Sequence, residues 1–185
     1  MTKVNFAFIS ELEGGPVLTG YVPDPEKSNS GVTIATGFDL GQRNEDDLVR
    51  LLPGQNELID KLVPYCGLKK QNAVARLNQL PLEITEQEAS CIDQAVKQRL
   101  LAQLQQRYNA VAIQNFADLH PAMQTVIASV AFQYGDLARR CPKFWTTALS
   151  TDTKAMINEL KNFGDRYPTR RNREANYLQL HSRIT

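Results

Sequence analysis

The chain lacks nearly every pattern that marks a metal, a phosphate or an activated nucleophile. Its three cysteines, Cys66, Cys91 and Cys141, are widely spaced and form no CxxC, which argues against both a zinc site and a disulfide framework and leaves buried or idle thiols as the expectation. The two histidines, His120 and His181, lie far apart and no HExxH occurs, so no metal and no cofactor is expected. There is no phosphate-binding Gly-rich loop, no G-x-S-x-G and no internal repeat. A net charge of +1 makes no case for nucleic acid. No apolar run reaches the length of a membrane span, and no charged start leads into an apolar core and cleavage site. Neither a membrane span nor a secretory leader is therefore expected. What these absences leave is carboxylate chemistry.

One stretch stands out. Residues 30–42 read Ser-Gly-Val-Thr-Ile-Ala-Thr-Gly-Phe-Asp-Leu-Gly-Gln. The β-branched Val32, Thr33, Ile34 and Thr36, punctuated by Gly31, Gly37 and Gly41, predict a short strand or hairpin with tight backbone approaches. Upstream, residues 4–13 predict a helix with Phe6, Phe8, Ile9 and Leu12 on one side. Glu13 projects between Phe6 and Ile9, whereas Glu11 points about 130° or more away from that apolar arc. A carboxyl on the apolar side, at a helix end marked by Gly14 and Gly15, meets desolvation and the unfavourable end of the dipole, both of which favour its protonated form. That suits a general acid. The alternative use of Glu13 is to cap the interior edge of the helix or to pair with an arginine.

Phe8-Ile-Ser-Glu-Leu-Glu-Gly-Gly, then Gly20-Tyr-Val-Pro, then Gly31-Val-Thr-Ile-Ala-Thr-Gly-Phe-Asp-Leu-Gly-Gln resembles the active-site region of phage-type lysozymes, and most of all the pesticin-like muramidases of bacteriocins and secreted bacterial toxins. The resemblance covers residues 8–42, with a weaker echo near the C-terminus. It implies a Glu at the end of the first helix, a Thr in the following hairpin and an Asp near that Thr, which fall on Glu13, Thr33 and Asp39. The simplest phage lysozymes carry their Asp before the Thr, where this chain has Asp24 in a Pro-bracketed, polar turn. Asp39 is preferred, because the pesticin-like enzymes carry their Asp six residues after the Thr.

The remainder predicts helices. Asn44 is an N-cap for residues 45–52, which Pro53-Gly54 stops. Helical segments follow at 56–63 and 69–77. Thr85-Glu86-Gln87-Glu88 is a capping box opening a helix of about 27 residues, with Ala89, Ile92, Ala95, Val96, Leu100, Leu101 and Leu104 on one face and Lys97, Arg99, Gln103 and Gln106 elsewhere. At 1.5 Å per residue it would span roughly 40 Å, a spine between two lobes. Residues 122–134 are apolar on nearly every side and predict a central buried helix opened by Pro121, with Gln133 and Tyr134 at its end as candidates to line a sugar cleft. Phe144 and the only Trp, Trp145, fall in a short helix. Residues 153–163 predict a further helix, and Thr169 caps a last one to about His181. Arg166, Arg170, Arg171 and Arg173 predict a cationic patch; by the family resemblance, Arg170 or Arg171 would brace Glu13 or an acidic peptide stem.

The expectation is a mainly α (α+β), lysozyme-like fold: one catalytic domain over 1–185, with a small β-hairpin lobe and a helical lobe joined by a long helix, and a cleft between the lobes. The resemblance implies a peptidoglycan hydrolase cleaving the β-1,4 bond between N-acetylmuramic acid and N-acetylglucosamine, acting as an antibacterial effector, of the type VI secretion kind among others, or as an endolysin. Its partners would be glycan strands and a periplasmic immunity protein, with no nucleic acid or membrane, and the chain would be a monomer. It would be made in the cytoplasm and carried to the target periplasm by a secretion system or phage lysis machinery. The rival readings are a non-catalytic wall-binding module of the same fold and a chitinase-like glycosidase.

Overall fold

The computed structural model describes residues 2–182. The fold is mainly α with one small antiparallel sheet, and the chain divides into two compact units: residues 13–99, and residues 1–12 together with 100–185. The helix α1 (Phe6–Glu13) and the long α5 (Glu86–Asn109) each contribute to both units. The 24 residues of α5 stop short of the expected end near Val111.

The unit of residues 13–99 holds three strands, β1 (Val17–Tyr21), β2 (Thr33–Ala35) and β3 (Phe38–Asp39), in the order β1-β2-β3. The hairpin β2-β3 was legible in the sequence. The strand β1 was not, because Val17-Leu-Thr-Gly-Tyr carries a glycine, Gly20, within it and is only partly buried. Its outer edge is covered by the segment leading into α5: Gly20 N donates to Leu82 O at 2.8 Å and Ile84 N to Leu18 O at 2.9 Å. Such cover removes an edge that would otherwise invite pairing with another chain. Below the sheet pack α2 (Glu45–Leu51), α3 (Asn56–Leu62) and α4 (Lys70–Gln79), around a core that includes Val32, Ile34, Leu48, Leu62, Tyr65 and Ile92. Asn44 caps α2 in a capping box with Asp47, and Thr85 with Glu88 makes the reciprocal pair at the start of α5.

The other unit is built on α6 (Pro121–Tyr134), whose residues from Ala122 to Ala131 are all buried. Around it lie α7 (Leu137–Arg140), α8 (Pro142–Leu149), α9 (Thr153–Lys161) and α10 (Pro168–His181). Ile9 of α1, Leu104 and Tyr108 of α5, Phe116, Phe144, Met156 and Leu178 fill the same core. The last helix opens at Pro168 rather than behind a Thr169 cap, consistent with proline's preference for the first helical position.

Within this unit the four arginines divide: Arg166 and Arg173 are exposed, as a basic surface requires, while Arg170 and Arg171 turn inward. Arg171 is 1% exposed and Glu174 is fully buried. Arg171 pairs with Glu174 through Nη1, lies 3.1 Å from Asp165 through Nε without the alignment of a hydrogen bond, and donates to Gln133. Arg170 pairs with Glu174 at 3.3 Å and donates to Ser129 O, while the Ser129 hydroxyl donates to Glu174 at 2.5 Å. Burial pushes the Glu174 carboxyl above the ordinary carboxylate range, against the opposing pull of Arg171, Ser129 and Arg170. The Tyr134 hydroxyl donates to Asp165 at 2.6 Å, and burial followed by that bond holds its proton far above the usual phenol range. Gln133 and Tyr134 are therefore committed to this network.

Two outcomes follow from this packing. Glu174→Ala leaves Arg170 and Arg171 short of a counter-charge, and breaking a buried pair from one side costs about 3–5 kcal/mol, so the urea midpoint should fall steeply. Burial, followed by the charges of Asp47 and Glu45, pushes the Cys66 thiol up to about 11. Alkylation of Cys66 followed by mass spectrometry should be very slow near neutral pH and should quicken about tenfold per pH unit towards that value, since only the thiolate reacts.

Candidate active site

Glu13 is the last residue of α1, and Gly14 follows with φ +81°, the left-handed conformation that ends a helix and that glycine adopts without strain. The two carboxylates of this helix part as the wheel requires. The Glu11 side chain is 65% exposed and pairs with Arg173 at 3.2 Å, whereas that of Glu13 is 16% exposed. Glu13 Oε2 lies 2.9 Å from the Lys97 ammonium, whose own side chain is 11% exposed. That oxygen is buried without an aligned hydrogen bond, so the contact is an ion pair set by charge and proximity. Glu13 thus has the cationic partner considered for it, but the cation is a lysine of α5. Arg170 and Arg171 are engaged by Glu174, Ser129, Asp165 and Gln133.

Thr33 and Asp39 are direct partners across β2 and β3, and Tyr21 of β1 opposes Thr33 from the other side. Opposed residues share a face, so Tyr21, Thr33 and Asp39 form one row across the sheet. Thr33 is 4% exposed and its hydroxyl donates to Gly31 O at 3.2 Å, which leaves the oxygen's lone pairs as acceptors. Asp39 Oδ1 accepts from Gly31 N at 2.9 Å and from Gly41 N at 2.8 Å. Oδ2 accepts no hydrogen bond among the described residues. One oxygen of Asp39 builds the hairpin and the other is unengaged among the described residues.

The two glycines beside Asp39 are there because nothing larger fits. A Cβ on Gly31 would lie 2.2 Å from Leu68 O and 2.4 Å from Gly41 Cα, and one on Gly41 would lie 2.6 Å from Gly31 Cα. Gly37, in the β2-β3 turn, is required for another reason, its φ of +80°.

Sequence reading missed Asp93 and Lys97. Asp93 of α5 takes the Thr36 hydroxyl on Oδ2 at 2.6 Å and the Thr36 amide on Oδ1 at 3.1 Å, fixing the turn between Thr33 and Asp39. Lys97 is one helical turn further on and holds Glu13. The available signal was a pair of opposite charges at i and i+4 on α5, but Lys97 reads as part of a solvated face because it falls, with Arg99, Gln103 and Gln106, among the polar positions between the periodic apolar ones. Beside the row, a cavity of ≈ 150 Å³ is lined by Thr36, Phe38, Asp39, Arg43, Asp93 and Val96, among others. Asp24 is exposed in its turn at φ +40°, with its carbonyl accepting from Lys27 N and Ser28 N. No group of His, Cys, Asp and Glu that could hold a metal ion occurs among the described residues.

A family model described as "Pesticin: Bacterial toxin homologue of phage lysozyme, C-term" matches residues 3–154, a span that contains Glu13, Thr33, Asp39, Asp93 and Lys97. None of the curated proteins matches the chain.

The close approach at Asp39 has a measurable consequence. Gly31→Ala should cost about 3 kcal/mol by overpacking against backbone that cannot yield, whereas Gly37→Ala, with open space around it, should cost only about 1–2 kcal/mol for its left-handed φ. Chemical denaturation of the two variants compares them directly.

Proposed function

Since the chain belongs to the pesticin family of bacterial toxins homologous to phage lysozyme, we propose that it is a muramidase, hydrolysing the β-1,4 bond between N-acetylmuramic acid and N-acetylglucosamine in peptidoglycan. The observation that carries this reading is the tying of Glu13 and of the turn in the Thr33-Asp39 hairpin to neighbouring turns of one helix, α5, through Lys97 and Asp93.

In this reading Glu13 protonates the leaving glycosidic oxygen. Asp39, through its unengaged Oδ2, acts from the opposite side as base or charge stabiliser. Thr33 accepts a hydrogen bond from water with the lone pairs that its bond to Gly31 leaves open. Lys97 holds the Glu13 carboxyl in position through its 2.9 Å contact. All three expected groups are retained in a defined arrangement, which favours an enzyme over a wall-binding module that has kept only the fold. A peptidoglycan substrate lies outside the cytoplasm, so in this reading the protein acts, as a monomer, as a delivered effector or endolysin. A periplasmic immunity protein guards the producer.

Turbidity loss of purified walls tests the chemistry. Glu13→Gln should lower the rate by about a hundredfold or more, because the proton donor is gone while the shape remains. Asp39→Asn should lose most activity and Thr33→Ala an intermediate amount. Glu11→Gln and Asp24→Asn should remain near the parent rate. Full activity of Glu13→Gln would overturn the assignment, and a loss at Asp24 with none at Asp39 would move the second carboxylate. Expression tests the compartment: the chain should be tolerated in the cytoplasm, lytic when fused to a secretory signal, and harmless in both when it carries Glu13→Gln.

A further inference from the structure

The solvent side of β1 carries a side chain that neither the core nor the hairpin uses. Tyr21 is 40% exposed, whereas Leu18 and Val22 of the same segment pack against the core of residues 13–99. Its hydroxyl makes no hydrogen bond and its ring no aromatic or cation contact among the described residues. The ring nonetheless has a fixed place. Tyr21 opposes Thr33, which opposes Asp39, so it stands at the exposed end of the row that holds the candidate hydroxyl and second carboxylate. Its aim is set by an irregularity in the strand: β1 takes four residues from Val17 to Tyr21 where β2 takes two from Ala35 to Thr33. Bulges of this kind bend a strand and re-aim a side chain, and they recur beside active sites.

An exposed phenol has an apolar face and a polar tip, and suits a ligand with the same two characters. In a β-1,4-linked chain of gluco-configured pyranoses the ring substituents are equatorial, so each sugar offers C–H groups on its faces and polar groups around its rim. An acyl chain would cover the Tyr21 ring but would leave its alignment with Thr33 and Asp39 without a purpose. We infer that Tyr21 is the platform on which one pyranose ring of the glycan stacks, beside the bond that Thr33 and Asp39 address. Tyr21 holds the sugar and takes no part in breaking the bond. The inference rests on the muramidase reading for the identity of the glycan.

Chitotriose, the β-1,4 trimer of N-acetylglucosamine, probes the platform in the Glu13→Gln protein without turnover. A pyranose stacked on an aromatic ring lies in its ring current, so in NMR titrations the C–H signals of bound chitotriose should move upfield and show Overhauser contacts to the Tyr21 ring. Both signals are read with Tyr21 intact, so they decide the matter even where a variant folds poorly. Tyr21→Leu, which keeps an apolar side chain and removes the ring, should abolish the upfield shift and weaken chitotriose binding about tenfold. Tyr21→Phe should keep both, because the ring face is the platform. Tyr167→Leu, at a 50% exposed tyrosine of the other unit, should change neither. With walls as substrate and Glu13 restored, Tyr21→Leu should raise KM about tenfold with kcat little changed. Absence of chitotriose binding, binding without the upfield shift, or a Tyr21→Leu protein that binds as tightly as its parent would overturn the inference even in a protein that lyses walls. So would a loss at Tyr21→Phe or Tyr167→Leu equal to that at Tyr21→Leu. Binding with the Tyr21-dependent upfield shift in a protein that hydrolyses no wall would support the platform and overturn only the muramidase reading.

Discussion

Two opposite charges one helical turn apart on α5 organise everything that matters for the candidate chemistry. Asp93 takes both polar groups of Thr36, and Lys97 takes the Glu13 carboxylate. These two anchors secure segments separated by more than fifty residues of chain from α5. The helix that carries them is long, but its register is set locally, by the Thr85-Glu88 capping box and by Ala89 and Ile92 in the core. A slip of α5 by one residue would rotate both charges away by about 100°. The positions of Glu13 and the hairpin turn therefore depend on how the first turns of α5 pack.

The sequence made the elements legible and their side-chain partners much less so. The N-cap at Asn44, the capping box at Thr85, Pro121 at a helix start and the glycines that end the helix after Glu13 are local signals, and the structure forms them where they were read. Burial of Ala122 through Ala131 follows from the absence of a polar face, which composition shows directly. Long-range pairing is different. Nothing near Lys97 shows that its ammonium meets Glu13, and nothing near Arg171 shows that it is buried, because an arginine reads as a surface residue until its carboxylate partner is known. Glu174 is such a partner, three residues further along the same helix, and it went unremarked. The strand β1 was missed for a related reason: the sheet edge it forms is completed by the segment 82–84, far away in sequence.

The glycines illustrate the boundary between the two kinds of information. That Gly31, Gly37 and Gly41 mark tight backbone was readable from their setting among β-branched residues. That two of them touch each other, and the third merely turns, was not. The contact brings the Gly31 and Gly41 amides to a single point, and Asp39 Oδ1 occupies it. The carboxylate thus satisfies two donors that the crowding of the backbone would otherwise leave without partners.

This double commitment constrains how any function at Asp39 is to be recognised. A side chain that holds the hairpin with one oxygen and faces the pocket with the other will look essential in any crude replacement, because removing it costs two backbone hydrogen bonds as well as a charge. An amide in its place can present its carbonyl to Gly31 and Gly41 and keep the hairpin, while the group turned to the pocket changes from a charged acceptor to a neutral donor. Loss of structure and loss of chemistry can therefore be separated at this position, by the contrast between asparagine and alanine. The same separation is not available at Lys97, where any neutral residue leaves Glu13 Oε2 buried without its counter-charge, so that orientation and electrostatics fail together.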